Sequence, residues 1–298
     1  MDIDYSGSFV ALITPFKDRK IDEKKFQELV EWQINQGTNG LVPCGTTGES
    51  PTLSHEEHER VIDLTLEVAN GRVPVIAGTG SNSTEEAIRL TSHAEKAGAN
   101  SALVVMPYYN KPTQAGMYSH FKAINDSTNI PIFIYNIPGR SVVDMSIETM
   151  VELAKLPNII GVKDASNDPT RPTNLRIALD GLKFTQFSGE DPSQLGFMAA
   201  GGEGIISVTA NVAPQLMSNF HSEWKNQKIE EARNIQERLM PLHNALFLET
   251  SPAPVKYAAS LMDVCSSEVR LPLVEPLQET KIKLRDALEK LQLIGKRA

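Results

Sequence analysis

Cysteine is nearly absent from this chain of 298 residues: there are two, Cys44 and Cys265, far apart in sequence. Two such cysteines make neither a disulfide framework nor a metal-spaced pair, which fits a reducing, cytoplasmic setting. Aromatic residues amount to only 6%, too few for a platform on which nucleic-acid bases stack. Basic residues are outnumbered, 29 Lys and Arg against 37 Asp and Glu, for a net charge of -8. That balance disfavours nucleic acid and anionic membrane as partners, because both require clustered cations. No apolar run approaches the roughly 18 residues of a membrane span. The opening MDIDYSGSFVALITPF places acidic residues before a short apolar run without a basic segment, so no secretory signal is expected.

Cofactor signatures are missing as well. GTGSNS at 78–83 lacks the third glycine of a dinucleotide fingerprint, and no Walker pattern occurs. His55 and His58 stand three apart with no third ligand in view, so no metal site is expected. No nucleophile elbow with a Ser-His-Asp set is present, and nothing indicates haem or flavin.

What the chain does have is repetition of short apolar runs: SFVALIT (8–14), GLVPCG (40–45), VPVIAG (73–78), SALVVMP (101–107), IPIFIYN (130–136), NIIGVK (158–163), FTQFSG (184–189) and GIISVTA (204–210). Most are apolar throughout instead of alternating, as in parallel strands buried on both faces. Helical segments lie between them. Ser54 with Glu57 reads as a capping box stopped at Gly71, Ser83 with Glu86 as a second stopped at Gly98, and Asp191-Pro192 as an N-cap followed by N1. Eight strand–helix units predict a (β/α)8 barrel over residues 1–223, the competing arrangement being a doubly wound sheet. Residues 224–298 contain only helical patterns, broken near Pro272 and Pro276, and predict a helical extension that packs on the barrel or on another subunit.

Barrel active sites form at the C-terminal ends of strands. The ring of strand-end residues here holds Thr14, Thr46 and Thr47, Tyr108 and Tyr109, Tyr135, Lys163, Gly189, Ser207 and Thr209. Lys163 follows Ile159, Ile160 and Val162, so its amine emerges among apolar neighbours. Desolvation favours a neutral amine, the form that attacks a carbonyl carbon. Taken singly, each residue also has a plain structural reading: a strand-end lysine snorkels, a tyrosine packs, GTTG makes a turn, and Arg140 is solvated. Together they form a set, with a phenol to move protons, threonine hydroxyls and exposed amides to hold a carboxylate, and a guanidinium to clamp a second one. Asp164, next on the strand, is expected to point away from the lysine.

GTTGE, PYYNKP, YNIPGR and GVKDA, in this order and at these strand ends, resemble the class I, Schiff-base-forming pyruvate lyases, most closely the dihydrodipicolinate synthase family. The likeness runs from Gly7 into the C-terminal region, where RLMPLHNALF and SPAPVKYA also match. It implies condensation of pyruvate with L-aspartate 4-semialdehyde to 4-hydroxy-tetrahydrodipicolinate, on the route to diaminopimelate and lysine. Lys163 would form the imine, and Thr47 would hold the pyruvate carboxylate with backbone help near Gly189 and Ile206. Tyr135, Thr46 and Tyr109 would relay protons, Tyr109 reaching in from a neighbouring subunit, and Arg140 would bind the semialdehyde carboxylate.

The resemblance further implies a homotetramer built as a dimer of dimers and no cofactor beyond the imine itself. It also implies feedback inhibition by L-lysine through Ser50, Pro51, His55, His58, Asn82, Glu86 and Tyr108. Pro51 stands where the family carries a small residue, and Asp164 where many members carry Glu. Sibling enzymes that share the pyruvate half-site, such as N-acetylneuraminate lyase or 2-keto-3-deoxy sugar acid aldolases, are the alternative. A non-catalytic barrel that binds a keto acid is a remoter one.

Overall fold

The computed structural model describes residues 3–296, so the first two residues of the predicted 1–223 barrel and the last two of the 224–298 extension lie outside the described residues. Each predicted run coincides with a strand, β1 starting one residue before its run and β6 ending one residue after: β1 (Gly7–Ala11), β2 (Gly40–Val42), β3 (Ile76–Gly78), β4 (Ser101–Val105), β5 (Ile132–Asn136), β6 (Ile159–Asp164), β7 (Thr185–Ser188) and β8 (Gly204–Ser207). Helices follow them: α1 (Glu23–Asn35), α2 (His55–Ala69), α3 (Thr84–Ala97), α4 (Gln114–Ser127), α5 (Ile147–Ala154), α6 (Arg171–Leu179), α7 (Gln194–Ala199) and α8 (Pro214–Lys225). This is the (β/α)8 barrel class. The C-terminal region is helical, with α9 (Ile229–Leu246), α10 (Ala253–Leu261) and α11 (Gln278–Lys290). No helix among the described residues is long and apolar enough to cross a membrane.

The chain divides into two compact units. The first runs from Pro74 to Ile206 and includes the residues up to Ser6. In it the strands from β3 to β8 pair with their chain neighbours, every pair parallel. A doubly wound sheet reverses its strand order at a switch point; this order does not reverse. Every residue of β5 is buried, which is why its sequence does not alternate. Val104, Phe121, Ile134, Met150 and Val162 are among the buried side chains of its core, each contributing about 1.5–3 kcal/mol relative to exposure. The β5–β6 pairing contains one irregularity: Ile132 pairs with Ile159 but Phe133 pairs with Gly161, leaving Ile160 as an extra residue.

The second unit comprises Gly7–Val73 and the chain from Ser207 onward. There β1 and β2 pair in parallel, Phe9 opposite Gly40. An antiparallel hairpin of Phe16–Lys17 with Lys20–Ile21, not anticipated from the sequence, turns through Asp18 and Arg19 at φ 53° and 64°. Two positive φ values in a two-residue loop match the twist of a hairpin, but strands of two residues carry no periodic signal.

The Ser54–Glu57 capping box is complete. At α3 it is half formed: the Ser83 hydroxyl accepts from the Glu86 amide, but the Glu86 carboxylate is engaged by the Ser81 hydroxyl instead of the Ser83 amide. Asp191 is the first residue of a 3-10 turn, Asp191–Ser193, whose N-cap is Glu190, a displacement of one residue from the predicted cap. Asn70, at φ 44°, caps α2 immediately before Gly71, and Gly98 caps α3 at φ 95°.

Candidate active site

In the first unit, parallel pairing brings the ends of β5 and β6 into register, with Tyr135 beside Lys163 and Asn136 beside Asp164. Lys163 is 5% exposed and Tyr135 7%. The Lys163 Nζ lies 4.2 Å from the centroid of the Tyr135 ring, a cation–π arrangement that also holds the amine against a phenol. On the other side, β7 places Phe187 opposite Lys163, and Gly189 follows the strand. The Gly189 amide donates to the Asp164 carbonyl oxygen at 2.7 Å. Its N–H is thus committed inside the protein.

Asp164, the next residue on the strand, is not idle. Its carboxylate lies 3.0 Å from the Arg171 Nε, with both side chains under 10% exposed. Arg171 also pairs with Asp144 at 3.0 Å. Asn136 Nδ2 donates to both carboxylates, at 2.7 Å to Asp144 and 3.1 Å to Asp164. The residue after the lysine is therefore anchored by an ion-pair network, buried at Asp164 and Arg171 and open to solvent at Asp144, that braces β5 and β6 at their ends, a role sequence reasoning missed.

Glu190 was missed too. Burial pushes its carboxyl up to about 7, against the opposing pull of the Lys163 charge; Asp191 raises it further, Arg140 lowers it and Asp164 raises it. The residue therefore faces the charges of both the lysine and the arginine singled out from sequence. It lines a cavity of about 190 Å³ together with Asp164, Asn167, Ser188, Ser193 and Phe197. Its place next to Gly189 was the only sequence signal, since the character of the group comes from burial.

Of the other predicted residues in this unit, Ile206 is fully buried on β8. Arg140 is exposed on the single helical turn Pro138–Ser141. Tyr109 is 88% exposed and sits at φ 70°. Three residues of the expected lysine-inhibitor set share this unit. Asn82 Nδ2 donates to the Tyr108 carbonyl at 3.2 Å, and the Tyr108 hydroxyl is raised above the usual tyrosine range by burial and then by the Glu86 charge.

The second unit carries the rest. Thr47 is buried and Thr46 half-buried in the turn after β2. In that turn the Gly48 amide donates to the Gly45 carbonyl at 3.0 Å and the Glu49 amide to the Thr46 carbonyl at 3.1 Å. Ser50 and Pro51 form a 3-10 turn with Thr52, while His55 and His58 lie on α2. Cys44 donates to the His58 carbonyl at 3.4 Å, and burial pushes its thiol well above the ordinary range. Burial likewise takes Cys265 up to about 11, so neither is a ready thiolate nucleophile.

A buried amine held on a phenol, between strands whose ends are tied by ion pairs, is suited to carbonyl addition with local proton transfer. Comparisons with known proteins agree with that chemistry. Residues 4–291 match the model of the dihydrodipicolinate synthetase family. A 4-hydroxy-tetrahydrodipicolinate synthase of Rhodospirillum centenum is 61% identical over 97% of this chain and 99% of its own length. Among solved structures, the chloride-inhibited dihydrodipicolinate synthase of Acinetobacter baumannii complexed with pyruvate is 46% identical, with a TM-score of 0.95 over 98% of this chain and 100% of the other. The enzyme of Cyanidioschyzon merolae with lysine bound is 33% identical, with a TM-score of 0.92 over 97% of this chain and 99% of the other. With a family match that spans nearly the whole sequence, the chain belongs to the dihydrodipicolinate synthetase family.

Proposed function

We propose that this chain condenses pyruvate with L-aspartate 4-semialdehyde, giving 4-hydroxy-tetrahydrodipicolinate, with Lys163 as the imine-forming nucleophile. The observation that carries the reading is the Lys163–Tyr135 pair: a buried amine 4.2 Å from the centre of a phenol ring. The amine adds to the ketone carbon of pyruvate, and loss of water gives the imine. Loss of a methyl proton then gives an enamine, whose carbon attacks the aldehyde. The substrate's own amine finally attacks the imine carbon, closing the ring and releasing Lys163.

Tyr135 serves the proton transfers that addition and dehydration require, with Thr46 and Tyr109 in the same relay. Thr47 holds the pyruvate carboxylate, and Arg140 binds the carboxylate of the semialdehyde. No organic cofactor or metal enters these steps, because the protonated imine is the electron sink. Tyr109, exposed on its own protomer, is completed by a second copy of the chain in a tetramer. L-lysine inhibits through Ser50, Pro51, His55, His58, Asn82, Glu86 and Tyr108. The reaction runs in the cytoplasm.

Borohydride treatment in the presence of pyruvate, followed by mass mapping, tests the central step. A pyruvate adduct on Lys163 is expected, and its absence would sink the imine mechanism. Turnover of a sialic acid or a deoxy-keto sugar acid, with none of pyruvate plus semialdehyde, would move the assignment to a sibling aldolase.

A further inference from the structure

Lys256, in the SPAPVKYA segment of α10, is fully buried. Its ammonium donates to the Thr14 carbonyl at 2.9 Å and to Glu49 Oε1 at 2.7 Å, and it lies 4.1 Å from the centroid of the Phe16 ring. Three N–H donors thus meet two oxygens and an aromatic face. Glu49 is the last residue of GTTGE, held at φ 56°. Its second carboxylate oxygen accepts the Arg270 amide at 2.9 Å, while the Arg270 guanidinium stacks on Phe16 at 4.2 Å and pairs with Glu57. The Glu49 amide reaches the Thr46 carbonyl at 3.1 Å, and the Thr14 hydroxyl donates to the Gly48 carbonyl at 2.7 Å. Both hydrogen bonds of this ammonium lead into the turn that carries Thr46 and Thr47.

Stability does not explain the arrangement. Replacing a buried ion pair by apolar side chains of similar volume is often neutral or stabilising, because the charges no longer have to be desolvated. An ion pair with fixed partners does, however, specify one geometry where an apolar contact would tolerate several. We propose that Lys256 is a positioning residue for the reaction: through Glu49 and Thr14 it fixes the Gly45–Glu49 turn, and with it the Thr46 and Thr47 hydroxyls. This rests on the reading that those hydroxyls serve pyruvate and the proton relay.

The test is the double variant K256M/E49L, which removes both charges and retains bulk, together with the near-isosteric E49Q. The double variant is expected to melt at or above the wild-type midpoint, yet to lose roughly 10- to 100-fold in kcat/KM, mainly through a higher KM for pyruvate. Hydrogen exchange at the Gly48 amide, which donates to the Gly45 carbonyl within the turn and is untouched by the substitutions, should quicken in step. E49Q, which leaves the Lys256 charge unpaired, is expected to raise the pyruvate KM in smaller measure and to lower the melting midpoint as well. An unchanged pyruvate KM in the folded double variant overturns the proposal. Should that variant fail to fold, E49Q decides: an unchanged pyruvate KM, with or without lost stability, overturns it. A failure of the imine reading is recognised separately, as wild-type enzyme that borohydride cannot trap on Lys163. Exchange at the Gly48 amide would still report whether the Lys256–Glu49 pair fixes the turn, and unchanged exchange in both variants overturns that.

Discussion

Gly189 stands so close to Lys163 that a methyl group on its Cα would lie 3.2 Å from the lysine Cε, and only 2.7 Å from the Ala165 Cβ. The Lys163 side chain thus occupies room that only a residue without a side chain leaves. Gly189→Ala is expected to destabilise the protein by about 1–3 kcal/mol through overpacking. It should also slow pyruvate trapping on Lys163, since the ammonium arm is the part of the cluster most able to move. Urea unfolding and timed borohydride trapping measure the two effects. Trapping at the wild-type rate would show that the lysine does not need this space.

Tyr135→Phe keeps the ring beneath the amine and removes only the hydroxyl. The melting midpoint should stay close to that of the wild type while kcat falls by roughly 10²- to 10⁴-fold, the span of general acid–base contributions. Steady-state kinetics beside a thermal melt separates this from a packing role, in which stability would fall and kcat would not.

Glu190, raised to about 7 by burial, keeps its proton in the native state through the pH range where the unfolded chain has already lost it above 4.5. The native state binds more protons in that window, so this contribution to stability is full below 4.5 and is lost as pH rises through 7. Glu190→Gln removes the titration. Relative to wild type the variant should gain stability as pH rises across the window, and its pyruvate-trapping profile should lose an inflection near 7. Parallel pH dependence in the two proteins would rule this out.

Two buried histidines act at the acid end. Burial lowers His120 to about 4 and His221 to about 3, from an ordinary 6.5. Below pH 6.5 the unfolded chain takes up protons that the native state refuses, so their contribution is present above 6.5 and is lost as pH falls. Each group adds a slope of up to about 1.4 kcal/mol per pH unit. Urea midpoints measured from pH 7 down to 4.5 should fall, and His221→Leu should flatten the curve; an unaltered slope in the variant would contradict the assignment.

Much of this was legible in the sequence where local pattern decides structure. Non-alternating apolar runs marked most of the eight strands because both their faces are covered, and strand ends picked out Lys163 and Tyr135 because barrels present chemistry there. Long-range pairing was not legible. Lys256 meets Glu49 across 207 positions, and Asp164 finds Arg171 only once the chain has folded. Glu190 looks like any carboxylate until burial and the charges of Lys163 and Arg140 act on it. At Ser83 the spacing for a capping box was present, but Ser81 competes for the same glutamate, a choice that spacing does not encode.

Ile160 is the residue in excess where β6 lies along β5. Strand side chains alternate, so a strand behaves like text read two letters at a time, and one inserted letter changes every later assignment. Counting on from Ile132–Ile159 without the insertion would set Val162 beside Tyr135 and move Lys163 one place along. The phase of the lysine, inward on its phenol instead of one step out, is therefore written several residues upstream, in an isoleucine that takes no part in the chemistry.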